Sequence, residues 1–114
     1  MNILEIKQVT KKFGDFIAVD HMSLTAAEGE IFGFLGANGA GKSTTINMIA
    51  GLLRPNAGEI KILGKDIAKH RQFVTRHIGV VPQQIAIYEN LTAYENVEFL
   101  AGLYGLCGAE LRQR

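Results

Sequence analysis

The sequence predicts an α/β fold in which an antiparallel β arm leads into a strand, a glycine-rich turn and a helix. Three observations carry that expectation. The first is Gly36-Ala37-Asn38-Gly39-Ala40-Gly41-Lys42-Ser43-Thr44, which sets Gly, four residues, Gly, Lys and Ser in the order of a phosphate-binding loop. The second is its setting. The apolar run Ile31-Phe32-Gly33-Phe34-Leu35 reads as a buried strand ahead of it, and Ile46, Met48, Ile49, Leu52 and Leu53 recur at helical spacing behind it. The third is the alternation of Leu4, Ile6 and Val9 with polar residues, which reads as a half-buried first strand. A turn at residues 10–15 then leads to a second strand from Phe16 to Thr25.

The chemistry of the loop follows from its glycines. They let the backbone curl around a polyphosphate so that several N–H groups point inward as anion donors. The helix beginning near Lys42 adds the positive end of its dipole. Lys42 is placed to reach the β- and γ-phosphates, and the Ser43 hydroxyl to ligate Mg²⁺. Strand, loop and helix in that order separate this stretch from a glycine-rich turn with a solvated lysine.

Composition narrows the rest. A chain of 114 residues is one domain at most, and 47% hydrophobic content is ordinary for a globular protein. A net charge of +1 gives no electrostatic case for nucleic acid, whose binders concentrate positive charge. No apolar run approaches the roughly 18 residues of a membrane span, and the N-terminus lacks a charged-then-apolar signal pattern. The expectation is a soluble, intracellular chain that reaches a membrane only through a partner. The single cysteine, Cys107, reads as a small apolar filler rather than a nucleophile.

In chain order, Phe13 stands in the first turn among polar neighbours. It is either a loop aromatic folded back on its own strands or a flat surface for a nucleotide base, where stacking is worth about 1–3 kcal/mol. Phe16-Ile17-Ala18-Val19-Asp20 has the form of an apolar run plus a metal-holding Asp. His21 follows it, however, and the run precedes the phosphate loop, so Asp20 reads as a surface or turn residue. Arg54-Pro55-Asn56-Ala57-Gly58 stops the helix, and Ile60 and Ile62 alternate in a short strand ended by Gly64-Lys65-Asp66. Residues 70–76 read as one helical turn, and His70 and His77 lack ligand partners at a metal-binding spacing.

Ile78-Gly79-Val80-Val81 reads as a second buried strand, closed by Pro82. Gln83 follows it, either as a solvated loop residue or on the rim where α/β sheets bind ligands. Thr92-Ala93-Tyr94-Glu95 is a capping box opening a helix with an apolar stripe of Ala93, Val97, Leu100, Ala101 and Tyr104. Gly105 is its expected stop, and another helix begins near Glu110.

With these elements in hand, the chain resembles the N-terminal portion of the ATP-binding subunit of an ABC transporter. The resemblance rests on Lys12-Phe13-Gly14, the Gly36–Thr44 loop, Gly51-Leu52-Leu53-Arg54-Pro55 with Gly58, Gly64-Lys65-Asp66-Ile67 and Gly79-Val80-Val81-Pro82-Gln83. Leu91-Thr92 and Glu95-Asn96 fit as well, and the loop phrasing is most similar to the multidrug and ABC-2-type exporters. It implies a P-loop NTPase (RecA-like) core with an N-terminal antiparallel β subdomain. By the same resemblance Phe13 stacks on adenine, and residues Gly36, Ala37, Asn38, Gly39, Ala40, Gly41, Lys42, Ser43 and Thr44 form the Walker A loop. Gln83 becomes the glutamine that touches Mg²⁺ and the attacking water and senses the membrane subunit. The implied cofactors are ATP and Mg²⁺. The implied partners are a membrane-spanning permease subunit and a second nucleotide-binding subunit that closes on ATP, with no nucleic acid. The implied location is the inner face of the cell membrane.

One departure from the family stands out. The sequence reaches Arg114 without the Leu-Ser-Gly-Gly-Gln signature, the Mg²⁺-holding Asp, the adjacent catalytic Glu or the switch His. The resemblance therefore implies a domain truncated before the signature motif and the Walker B strand, which binds nucleotide but lacks hydrolysis on its own. A non-catalytic nucleotide-binding fragment is the alternative. Either way, the strands at 31–35 and 78–81 are expected to lack sheet neighbours, giving an incomplete domain.

Overall fold

Alternation near the N-terminus becomes a long strand with one break in its rhythm. β1 (Asn2–Phe13) pairs antiparallel with β2 (Phe16–Ala27) on one edge and with β3 (Ala57–Ile62) on the other. β4 (Lys65–Asp66) continues from β3, so the sheet runs β2-β1-β3-β4. Strict alternation would send Ile6 and Val9 to opposite faces, yet both are buried in the same core cluster. Register shifts around Gln8, whose φ is 48°, resolve this. The extra residue of the bulge re-aims Val9 to the core side. Ser23 across the pair closes the irregularity, its hydroxyl accepting from the Gln8 backbone N–H at 2.9 Å.

The computed structural model describes residues 1–35, 41–82 and 87–114, and these fall into two compact units, Met1–Gly79 and Val80–Arg114. In the first unit, helix α1 (Lys42–Ile49) lies on the sheet. Gly41, Thr45 and Met48 are all buried and recur at the spacing of one helical face. The apolar set read from the sequence is only partly the buried one: Met48 is fully enclosed, whereas Ile46 and Leu52 are exposed. α1 ends at Ile49, four residues before the expected limit at Leu53, with Ala50 as its C-cap. The core joins Ile6 and Val9 of β1, Val19 of β2, Ile60 and Ile62 of β3, and Met48. α2 (Arg71–His77) adds Val74 to it, so a segment read as a polar turn has one buried apolar face.

Two expected strands are absent among the described residues. Residues 31–35 adopt no regular structure, and Ile31 and Leu35 are 100% and 94% exposed. Residues 78–81 are likewise irregular, with Val81 96% exposed. An apolar run becomes a strand only when neighbouring strands satisfy its N–H and C=O groups. All the strand pairs described here belong to the antiparallel arm, and none borders either segment.

In the second unit, α3 (Ala93–Leu103) opens with the expected capping box. The Thr92 hydroxyl accepts from the Glu95 N–H at 3.1 Å, and the Glu95 carboxylate accepts from the Thr92 N–H at 3.0 Å. The expected apolar stripe is not covered, since Val97, Leu100 and Tyr104 are exposed. The buried residue of α3 is Asn96, whose side chain binds the preceding loop. Its oxygen accepts from the Tyr88 N–H at 2.8 Å, and its amide donates to the carbonyls of Tyr88, Leu91 and Thr92 at 2.9–3.3 Å. α4 (Gly108–Gln113) begins where a second helix was expected. Cys107 is exposed at its N-cap, which corrects the reading of that residue as core filler.

Two expectations follow. Gly58 has φ +86°, and a Cβ there would meet the Gln8 carbonyl oxygen at 2.3 Å and that of Lys7 at 2.5 Å. Gly58→Ala should therefore destabilise the first unit by at least about 2 kcal/mol, read from the denaturant midpoint. Gly33→Ala, with open space around it and an ordinary φ, should leave that midpoint unchanged. Hydrogen bonds from the Thr92 backbone and then the Thr92 side chain hold the Glu95 carboxyl below its ordinary 4.5. A depressed carboxyl stabilises above the unfolded value and loses that contribution as pH falls through the folded one. Helicity of α3, followed by residue-resolved NMR, should thus fall on acidification below about pH 4.5, and Thr92→Ala should move the Glu95 titration upward.

Candidate functional site

The first turn of α1 carries Lys42, Ser43 and Thr44, and the close approach of Gly41 to the sheet sets its position. Gly41 is the N-cap, with φ 87° and ψ 8°. A Cβ at this position would lie 2.4 Å from the Ala18 carbonyl oxygen and 3.3 Å from Val19 Cγ2. Only glycine combines the left-handed backbone with that proximity. One turn on, Thr45 reinforces the start of the helix: its N–H and hydroxyl both donate to the Gly41 carbonyl, at 2.9 and 2.8 Å. No acidic residue occupies the first turn. The helix therefore presents its positive dipole end in a first turn that holds a lysine and no acidic residue. Ser43 is exposed, and Lys42 and Thr44 are half-buried.

Phe13 ends β1 at the hairpin turn, opposite Phe16 in the register, and is 46% exposed. It does not fold back into the core cluster. The Lys11 ammonium lies 5.3 Å from its ring centroid and donates to the Arg54 carbonyl at 2.8 Å. Asn56 fastens the same tip, its side-chain oxygen accepting from the Lys12 N–H at 2.7 Å while its N–H donates to the Thr10 carbonyl at 2.8 Å. The end of the arm is thus tied to the chain that leaves α1. Sequence reading missed Lys11 and Asn56. Lys11 is indistinguishable from Lys12 in a polar run, and Asn56 read only as part of a stop.

Other candidates sort cleanly. Asp20 is exposed on β2 and pairs with the ring of its neighbour His21, as its surface reading requires. Gly36, Ala37, Asn38, Gly39, Ala40 and Gln83 lie outside the described residues. Among the described residues, no three His, Cys, Asp or Glu side chains gather as a metal cluster, and no helix is long and apolar enough to cross a membrane.

An antiparallel arm laid against a helix that starts at Gly-Lys-Ser defines a class, the ATPase domains built around a phosphate-binding loop. The chain belongs to the ABC transporter family, whose profile matches residues 19–114. Over 106 residues it is 47% identical to a probable multidrug ABC transporter ATP-binding protein of Escherichia coli (strain K12), a match covering 93% of this chain and 18% of that protein. Among solved structures it is similar to an ATP-binding subunit of an ABC transporter, with TM-score 0.88 and 34% identity over 98% of this chain and 47% of the other. A dimeric ATP-binding cassette in a post-hydrolysis state with ADP and Pi matches with TM-score 0.78 and 34% identity. That match covers 96% of this chain and 53% of the cassette. The chain spans less than a fifth of the Escherichia coli relative and about half of each solved domain.

The Gly41 contact gives a direct check. Gly41→Ala should lower the unfolding midpoint by the equivalent of about 2 kcal/mol or more, because β2 backbone cannot retreat without losing β1 pairing. An unchanged midpoint would show that the helix start can move off the strand.

Proposed function

We propose that this chain is the nucleotide-binding part of an ABC transporter subunit, taking Mg-ATP at its Walker A loop to power export through a membrane-spanning permease. The observation that carries the reading is Gly41-Lys42-Ser43 at an acid-free helix start, pinned to β2 through Gly41. Lys42 contacts the β- and γ-phosphates. The backbone from Gly36 to Thr44 cradles them, and Phe13 stacks on the adenine. A hard cation needs oxygen donors, and the exposed Ser43 hydroxyl next to Lys42 fits that need. Mg²⁺ neutralises phosphate charge when bound. Gln83 is a second candidate contact for the metal and the attacking water.

The relatives support the wider assignment. The Escherichia coli protein is described as a probable multidrug transporter component, and the ADP-bound cassette is a dimer. A second nucleotide-binding subunit, closing on ATP from the opposite side, is the corresponding partner. Attachment to a permease would place the subunit on the cytoplasmic face of the cell membrane. The 114 residues bind nucleotide without turning it over, since phosphoryl transfer depends on positioned metal and base groups that this stretch does not supply.

Calorimetric titration tests the site. Lys42→Ala should weaken Mg-ATP by roughly tenfold or more, as expected for a lost charge-assisted phosphate contact. Phe13→Ala should weaken Mg-ATP while leaving Mg-triphosphate unaffected. Equal losses for both ligands would remove Phe13 from the base site.

A further inference from the structure

Among the described residues, Lys11 is the cation seen against an aromatic ring that the proposed site uses. Its ammonium sits 5.3 Å from the Phe13 centroid, inside the roughly 6 Å range of a cation–π contact. It is also anchored there, because it donates to the Arg54 carbonyl at 2.8 Å. Anchoring matters, since a lysine that had to be immobilised on binding would spend much of the contact's benefit on side-chain entropy. With Lys11 against the ring, Phe13 still keeps 46% of its surface exposed.

We propose that Lys11 is a positioning residue for the nucleotide base: its ammonium covers one face of the Phe13 ring and leaves the other for a purine. This rests on the reading of Phe13 as the base-stacking residue. Two physical effects act together. The cation draws π density toward itself, so the opposite face of the ring repels the π cloud of a stacked base less. The tether to Arg54 also fixes the ring relative to the chain leaving α1, the helix that bears Lys42 and Ser43. Lys11 therefore acts on the base and not on the phosphates. A lysine serving only as a stability strap would affect every ligand alike.

Titrations of the full 114-residue chain with Mg-ATP and Mg-triphosphate separate these roles. Lys11→Gln should weaken Mg-ATP by about two- to fivefold and leave Mg-triphosphate unchanged. Lys11→Arg should restore the wild-type ratio, and Lys11→Met, which keeps the aliphatic stem, should show the same selective loss of Mg-ATP and takes the place of Lys11→Gln where that variant folds poorly. In a Phe13→Ala background, Lys11→Gln should have no further effect, because its partner is gone. Equal losses for both ligands, or a loss that persists without Phe13, would overturn the proposal and make Lys11 a phosphate-attracting charge or a strap. A wild-type chain that binds Mg-ATP no more tightly than Mg-triphosphate would overturn the base-stacking reading and this inference with it. That outcome appears before any Lys11 substitution is made.

Discussion

Among the described residues, everything in the first unit depends on β1 being hydrogen-bonded along both edges. Its pairing with β2 and β3 creates the surface on which Met48 and Thr45 of α1 are buried. The strand could not do this as a regular ribbon. The bulge at Gln8 turns Val9 to the same side as Ile6, and Gly58 lets β3 pass close enough to accept that distortion. A local irregularity of one residue thus aligns a core drawn from three strands and two helices.

The same economy operates at the helix start. Gly41 is at once the N-cap, the contact with β2, and the residue before the lysine and serine of the phosphate-binding sequence. The packing of the helix start and the placement of the Lys42-Ser43 pair therefore depend on a single backbone position. The arm is not a passive flank, because β2 supplies the wall against which the loop-to-helix junction is set. Its tip, held by Arg54 and Asn56, carries the exposed aromatic. Membership of the ABC transporter family accounts for finding these parts together.

Much of this was legible in the sequence where the signal is local. Alternation at Leu4 and Ile6, the Thr92–Glu95 capping box and the start of the helix after Gly41, though not its end, emerge as read, because each depends on neighbours within a few residues. The strands expected at 31–35 and 78–81 do not emerge. An apolar run reports a preference for burial, but it cannot report whether a partner strand is alongside, and Ile31, Leu35 and Val81 stand almost fully exposed. For the same reason the apolar stripe of α3 was recognised but its covering was not, while the buried Asn96 was read only as part of a family motif. Its four side-chain hydrogen bonds run to a loop that no helical periodicity encodes. The motif singles out Phe13 and Gly41-Lys42-Ser43 as candidates, whereas the Lys11 tether to Arg54 emerges only in the folded chain.

The position of Cys107 bears on how any pairing of this molecule is understood. It is the chain's sole cysteine, and its sulfur faces outward at the start of α4. These 114 residues hold no second thiol, so a preparation of them can form a disulfide at this sulfur only with another molecule. Two copies linked there would double the mass through a bond at α4. A dimer of these residues that disappears on adding reductant is therefore a product of sulfur oxidation, and only one that survives reductant reports a non-covalent interface between copies.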